Sequence, residues 1–280
     1  MIHFENRNLL IVTKHGKEEV LKPLLEQALK VKCFISTDFD TDSFGTFSGE
    51  ISRKNDALST VKDKCLEAMA FYKCDLAVAS EGSFGPHPSA FFASADDELV
   101  VLIDLKNDLE IIGRKLSLET NFSSKSCTNL DSFLAFLQQI QFPSHHVILK
   151  DKDHNPLEIH KDFKSQEAVV QKFHALIEKY GTVFAETDMR AMNNPTRMKV
   201  IKEAVENLVE KVTSLCPKCE FPGFAVTSAV GGLPCESCNF PTKSTLYHVL
   251  TCTRCNFEEK KYYPRNVSWE NPMYCDVCNP

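Results

Sequence analysis

No apolar run in these 280 residues approaches the roughly 20 needed to cross a bilayer, so a membrane-spanning helix is not expected. A secretory leader is not expected in the opening stretch either: Leu9-Leu10-Ile11-Val12 is too short for its apolar segment, and Glu5 and Arg7 precede it. Positive charge is not in excess, and a net charge of -6 argues against a general polyanion binder. There is no low-complexity linker and no Walker A spacing. What remains, 43% hydrophobic and 25% charged, is ordinary for a soluble globular chain. Its length suits one sizeable α/β domain and a small module.

The module announces itself through its thiols. Four Cys-x2-Cys pairs crowd the last 65 residues: Cys216/Cys219, Cys235/Cys238, Cys252/Cys255 and Cys275/Cys278. Each pair offers two thiolates from one tight turn, and two such turns close a tetrahedral shell, so the spacing predicts two structural Zn2+ sites. Redox-active pairs are the competing reading, but those usually occur singly near a βαβ pattern. Such turns often need a left-handed residue after the second cysteine, which suits Asn239, Asn256 and Asn279 and does not suit Glu220. Sequential pairing leaves 15 residues between Cys219 and Cys235 and 19 between Cys255 and Cys275. Those lengths fit a hairpin in each of two tandem ribbons and favour sequential over crossed pairing. A shell of four thiolates has no open position, which assigns these metals to the fold and not to chemistry. Reduced thiols point to the cytosol. From Thr213 to Pro280 six basic residues balance six acidic ones, so a nucleic-acid role has little support, although Lys260-Lys261-Tyr262-Tyr263 can still meet a strand.

Residues 1–212 alternate β-branched runs with amphipathic stretches, the pattern of a mixed-sheet α/β domain, with residues 213–280 as the zinc module. Strands are predicted at Leu9–Thr13, Val31–Ser36 and Leu76–Ser80, with a hairpin of Leu99–Asp104 and Leu109–Gly113. Later strands are predicted near Val147–Leu149 and at Thr182–Ala185. Helices are predicted from Val20 to Leu29, Leu58 to Met69, Leu130 to Ile140, Gln166 to Tyr180, and from Pro195 to about Val212 with Asn194 as cap.

Ligands of open α/β sheets bind beyond the carboxyl ends of the strands, which directs attention to four segments. Thr13-Lys14-His15-Gly16-Lys17 is a strand-to-helix turn able to hold a phosphate, or simply a lysine-bearing surface turn. Asp38, Asp40 and Asp42, with Glu50 close behind, suit a hard cation such as Mg2+, or cap and solvate a loop. Glu81-Gly82-Ser83-Phe84-Gly85-Pro86-His87-Pro88 reads as a loop with a carboxylate at a strand end, and His87 in it is a base or an anchor. Arg190 and Arg197 can grip a phosphate bidentately, or pair with Glu186 or Asp188.

Two resemblances follow from these residues. The segments 14–18, 39–42, 80–88 and 186–198, followed by the cysteine pairs, resemble a bacterial family whose shared domain has no assigned function. The order of segments is also similar to that of the inosine triphosphate pyrophosphatase superfamily. Thr13–Lys17 resembles that family's T-x-N-x-x-K turn, and Thr46-Phe47-Ser48-Gly49-Glu50 its T-F-x-E-N segment. Glu81-Gly82-Ser83 resembles its D-S-G turn, and Gly181–Glu186 its G-x-T-F-A-E segment. The resemblance implies that Lys17 binds a triphosphate, that Glu50 and Glu81 position Mg2+ and the attacking water, and that Arg197 meets the base or a phosphate. Lys14, His15, Asp40, Asp42 and Arg190 would complete the site. Thr196 stands where that family has a base-reading His, and residues 141–180 form an insertion. The resulting expectation is an Mg2+-dependent hydrolase of a nucleotide or related phosphorylated small molecule. The rival class is a noncatalytic zinc-ribbon protein that docks a protein or nucleic-acid partner.

Overall fold

A computed structural model describes residues 3–45 and 55–280, in which the chain forms two compact units. Phe4–Val209 make the larger, and Glu210–Pro280 together with His3 make the smaller. No described helix is long and apolar enough to cross a membrane.

In the larger unit, β1 (Asn8–Val12), α1 (Glu18–Leu29), β2 (Lys32–Ile35), α2 (Ala57–Tyr72), β3 (Leu76–His87), β4 (Ala90–Asp104) and β5 (Leu109–Ser117) build a five-stranded sheet of order β2-β1-β3-β4-β5. β1 runs parallel to both β2 and β3, and the β3–β4 and β4–β5 pairs are antiparallel, so the sheet is mixed as expected. Strand alternation sends Leu10, Val12, Ala77, Ala79, Val101 and Ile103 to one face, where they bury Val61, Cys65, Ala68 and Met69 of α2. α2 starts cleanly because the Asp56 carboxylate accepts from the Leu58 and Ser59 amides.

One expectation fails here. Glu81–His87, read as a loop, continue β3 and pair residue by residue with β4, from Glu81 opposite Leu99 to Pro86 opposite Ser94. Glycine and proline suggested a turn, yet the ladder tolerates them because β3 becomes an edge strand past the end of β1, with β5 still flanking β4 as far as Asp96 and only Gly85–His87 and Ala90–Ala95 left as a two-stranded arm.

A second, four-stranded sheet holds β6 (Ser124–Cys127), β7 (Val147–Lys150), β8 (Ile159–His160) and β9 (Val183–Thr187) in the order β6-β9-β7-β8, all antiparallel. The strands near Val147 and Thr182 therefore belong to a separate sheet and do not extend the first. Helices α3 (Leu130–Gln139) and α4 (Gln166–Tyr180) close its core through Phe133, Phe136, Val169, Phe173 and Leu176. Asn129 and Ser165 cap their starts, and Gly181, at φ 72°, ends α4. α5 (Pro195–Thr213) begins where Asn194 Oδ1 accepts from the Arg197 amide at 3.0 Å, the cap read from the sequence. It lies so close on Gly113 of β5 that a Cβ there would meet the Ala204 carbonyl at 2.4 Å.

The smaller unit is an antiparallel meander of β10 (Ala225–Gly231), β11 (Thr245–Thr251) and β12 (Glu258–Tyr262). The cysteine pairs occupy the turns before, between and after these strands. It is one sheet, not a hairpin in each of two ribbons.

Candidate metal centres and a charged cleft

The cysteines form two groups, Cys216/Cys219/Cys252/Cys255 and Cys235/Cys238/Cys275/Cys278, each with its sulfurs within 4.8 Å of one another. Pairing is therefore crossed, and the sequential, tandem arrangement favoured by loop length is wrong. The reason lies in the meander. Successive antiparallel strands reverse direction, so the first and third pairs arrive at one end of the sheet and the second and fourth at the other. Ala225 opposite Thr251 carries Cys219 toward Cys252, and Tyr247 opposite Tyr262 marks the far end, beyond which the second and fourth pairs meet. Loop closure grows only logarithmically with length, so strand pairing overrides it easily.

The geometry fits a tetrahedral ion. Sulfurs about 2.3 Å from a shared Zn2+ lie roughly 3.8 Å apart. The Cys216–Cys255, Cys219–Cys252, Cys235–Cys278 and Cys238–Cys275 separations are 3.7, 3.6, 3.8 and 3.6 Å, far beyond a disulfide bond. Three turns repeat one pattern: the first cysteine's amide donates to a phenylalanine carbonyl five residues on, Phe221, Phe240 or Phe257, at 2.9 Å. Glu220, Asn239 and Asn256 all adopt positive φ, at 57°, 58° and 55°, so the glutamate takes the strained conformation it seemed unsuited to, and Asn279 does not. Backbone N–H groups of Cys278 and Val277 bring the Cys275 thiol down to about 7, while its neighbour Cys278, hydrogen-bonded to Cys238, is pushed up to about 12. Adjacent thiols compete for ionisation in this way, and a divalent cation removes the competition.

In the larger unit the expected site residues are brought together only in part. A cleft opens where β1 ends and β3 runs on, between strands whose flanking helices α1 and α2 follow a 2-1-3 strand order, the switch point of an open α/β sheet. Thr13, Lys14, His15, Lys17, Thr41, Lys64, Ser80 and Glu81 line it. Lys17 is not a surface lysine. It is buried, its Nζ donates to Ser80 Oγ at 3.1 Å, and among the described residues it forms no ion pair. Burial, reinforced by the Arg197 charge, brings its ammonium down to about 8 against the pull of Glu98 and Glu81. Glu81 Oε2 accepts from Lys64 Nζ at 2.6 Å, both side chains nearly dry.

Arg197 is close enough to act on Lys17 but is itself fully buried. Its Nε donates to Glu98 Oε1 at 2.6 Å, its Nη1 to the Met189 carbonyl, and its guanidinium lies 5.1 Å from the Phe84 ring centre. Gly82, opposite Glu98 in the ladder, leaves room for this pair, since a Cβ there would stand 2.4 Å from Glu98 Oε1. Asp96 shares that face of β4 and has both oxygens buried without a donor. Burial, then the Glu98 charge, push its carboxyl up to about 8, and a proton held there turns the Glu98 contact into a hydrogen bond.

The remaining candidates lie outside this group. Arg190 pairs with Asp188 and Asp162 at 2.6 Å, and Asn193 donates to Asp188, a structural knot in which Glu186 takes no part because it pairs with Lys150. Lys14, at the rim, pairs with Asp40 at 3.0 Å. His87 accepts from the Ser89 amide at the tip of the β3–β4 arm, the anchor reading. Glu50 and the Thr46–Glu50 segment lie outside the described residues, as does the side chain of Asp42. Sequence reasoning passed over Lys64, Asp96 and Glu98. Only strand alternation through Asp96-Asp97-Glu98 into Leu99-Val100 hinted that two of three acids face inward.

No curated protein matches the chain, and nothing in the comparisons points to the inosine triphosphate pyrophosphatases. A family profile does match, over a segment that includes Lys64, Glu81, Glu98, Arg197 and all eight cysteines. The chain belongs to that family, described as Domain of unknown function (DUF6671), with residues 64–280 matched.

Proposed function

We propose that the larger unit binds and hydrolyses a phosphorylated small molecule of the nucleotide class, while two Zn2+ ions hold the smaller unit in shape. The carrying observation is Lys17: a buried ammonium bonded to Ser80 Oγ, with no carboxylate partner among the described residues, in a cleft at the sheet's switch point. A buried cation without a counter-charge costs several kcal/mol in order of magnitude, and an anionic ligand group removes that cost. Lys14, paired with Asp40, and His15 stand at the rim of the same cleft. Glu81, fixed by Lys64, supplies the carboxylate that would orient and deprotonate an attacking water. Mg2+ belongs to this reading as the ion that neutralises the leaving phosphate. Because Lys64 already holds Glu81, binding of that ion to Glu81 requires the pair to open.

The test is a panel of nucleoside mono-, di- and triphosphates, with and without Mg2+, scored for phosphate and pyrophosphate release. Turnover that vanishes in Glu81→Gln while the variant keeps its native circular dichroism supports the reading. Silence across the panel, with no shift in melting temperature by any phosphate ester, rejects it.

A docking role for the smaller unit is the second reading, favoured by its exposed Trp269, Met273, Tyr274 and Val277. Its partner would be a protein or a nucleic-acid strand.

A further inference from the structure

The two four-cysteine groups share a geometry but not an environment. In the first, Cys216 and Cys252 are buried and Cys219 and Cys255 partly covered. In the second, Cys235 and Cys275 are buried, but Cys238 and Cys278 stand exposed. The charges placed between the cysteines differ in the same direction. Lys218 and Arg254 sit inside the turns of the first group, with Glu220 following. Arg254 is drawn over the opposing turn, 4.9 Å from the Phe221 ring centre. The second group's turns carry Glu236 and Asp276. Glu270 lies beside them, its carbonyl accepting from the Glu236 amide, and among the described residues Lys243 pairs with Asp276 and Arg265 with Glu270, so two cations stand against three carboxylates.

A zinc ion with four thiolates carries a formal double negative charge. Nearby cations withdraw electron density from the sulfurs and protect them, whereas nearby carboxylates leave them nucleophilic. We propose that Cys238 and Cys278 form an oxidation-sensitive modification site, whose reagents are hydroperoxides and other soft electrophiles, and that the second Zn2+ is the one released. This rests on the zinc reading of both groups. In the reaction, an exposed thiolate attacks one oxygen of a hydroperoxide, the O–O bond breaks, and the second oxygen leaves as hydroxide or alkoxide. A second thiolate of the same group attacks the resulting sulfenic sulfur and expels hydroxide. Two thiolates lose two electrons, the peroxide gains them, solvent protons neutralise the two leaving anions, and the ion departs with half its ligands gone. Every sulfur of the group lies within 4.8 Å of the others, so closure needs only a small local shift.

The experiment uses the full zinc-loaded chain. Elemental analysis first gives the zinc content, and hydrogen peroxide is then added in the presence of a chromophoric zinc chelator. One zinc per chain should leave at least fivefold faster than the other. Differential alkylation and mass spectrometry at that point should find Cys238 and Cys278 oxidised, with Cys216, Cys219, Cys252 and Cys255 still protected. Replacing the cations of the first group, Lys218→Gln with Arg254→Gln, should speed the slow phase. Replacing Glu236→Gln should slow the fast one, a surface change that keeps the fold. Equal release of both ions, or earlier oxidation of the first group, overturns the proposal alone. Fewer than two zinc ions per chain overturns the zinc reading and this proposal with it.

Discussion

The two units handle charge in opposite ways. The smaller concentrates eight thiols in a sheet whose strands are largely exposed, and beyond its cysteines it buries little more than Phe221, Phe224 and Leu233. A unit of that size cannot rely on its core, so metal coordination would supply the stability that apolar burial does not. The larger unit has two well-filled cores yet places Lys17, Lys64, Glu81, Asp96, Glu98 and Arg197 at or below a tenth exposed around the end of one sheet. Such charges cost stability even when paired, so their presence beside a cleft marks a place where stability is exchanged for recognition. In one unit charge makes the fold. In the other the fold tolerates charge.

Metal removal should break this symmetry most sharply. Structural zinc sites contribute on the order of 10 kcal/mol to small domains, so a strong chelator should melt the β10–β12 meander. The larger unit should keep its native circular dichroism and protease resistance. Loss of both units together would show that the larger one also depends on the metal. Next in size is the Arg197–Glu98 pair. Arg197→Met leaves Glu98 buried without its partner and should cost about 3 to 5 kcal/mol, read as a lower urea midpoint. Gly82→Ala, which drives a Cβ into the same pair, should move the midpoint in the same direction.

Lys17 should behave in the reverse sense. Its folded value of about 8 lies below the ordinary lysine value of 10.5, so the unfolded chain holds the proton more tightly. Below pH 8 the penalty is fully present, and stability rises as pH climbs from about 8 to 10.5. Lys17→Met should therefore raise stability at pH 7 by on the order of 3 kcal/mol while abolishing phosphate-ester binding. Destabilisation instead would identify Lys17 as a structural cation. A pH effect of the opposite sign concerns Asp96. Its raised folded value of about 8 means that the native state holds a proton the unfolded chain has lost. Stability should fall as pH rises from about 4 to 8, and Asp96→Asn should flatten that slope in urea titrations.

Much of the larger unit is written locally. The starts of α3, α4 and α5 follow from Asn129, Ser165 and Asn194, and their lengths follow from apolar periodicity. The extension of β3 and β4 past β1 is not, because Gly82, Gly85, Pro86 and Asp96-Asp97-Glu98 carry turn and surface signals. Those signals are overridden by partners distant in the chain: Gly82 admits the Arg197–Glu98 pair, and Arg197 lies 99 residues beyond Glu98. Lys17 and Glu81 were legible as candidates. That Lys64 would hold Glu81, and that Asp162 would join Asp188 in holding Arg190, were not.

The sequence by itself determined the eight candidate thiol ligands, the helix positions and the mixed α/β character, because spacing, caps and periodicity act over a few residues. Only tertiary structure decided which cysteine pairs meet, which strands share a sheet and which charges are buried. Those outcomes depend on the direction in which antiparallel strands return and on the desolvation of groups from remote segments, and neither is encoded in any short stretch of chain.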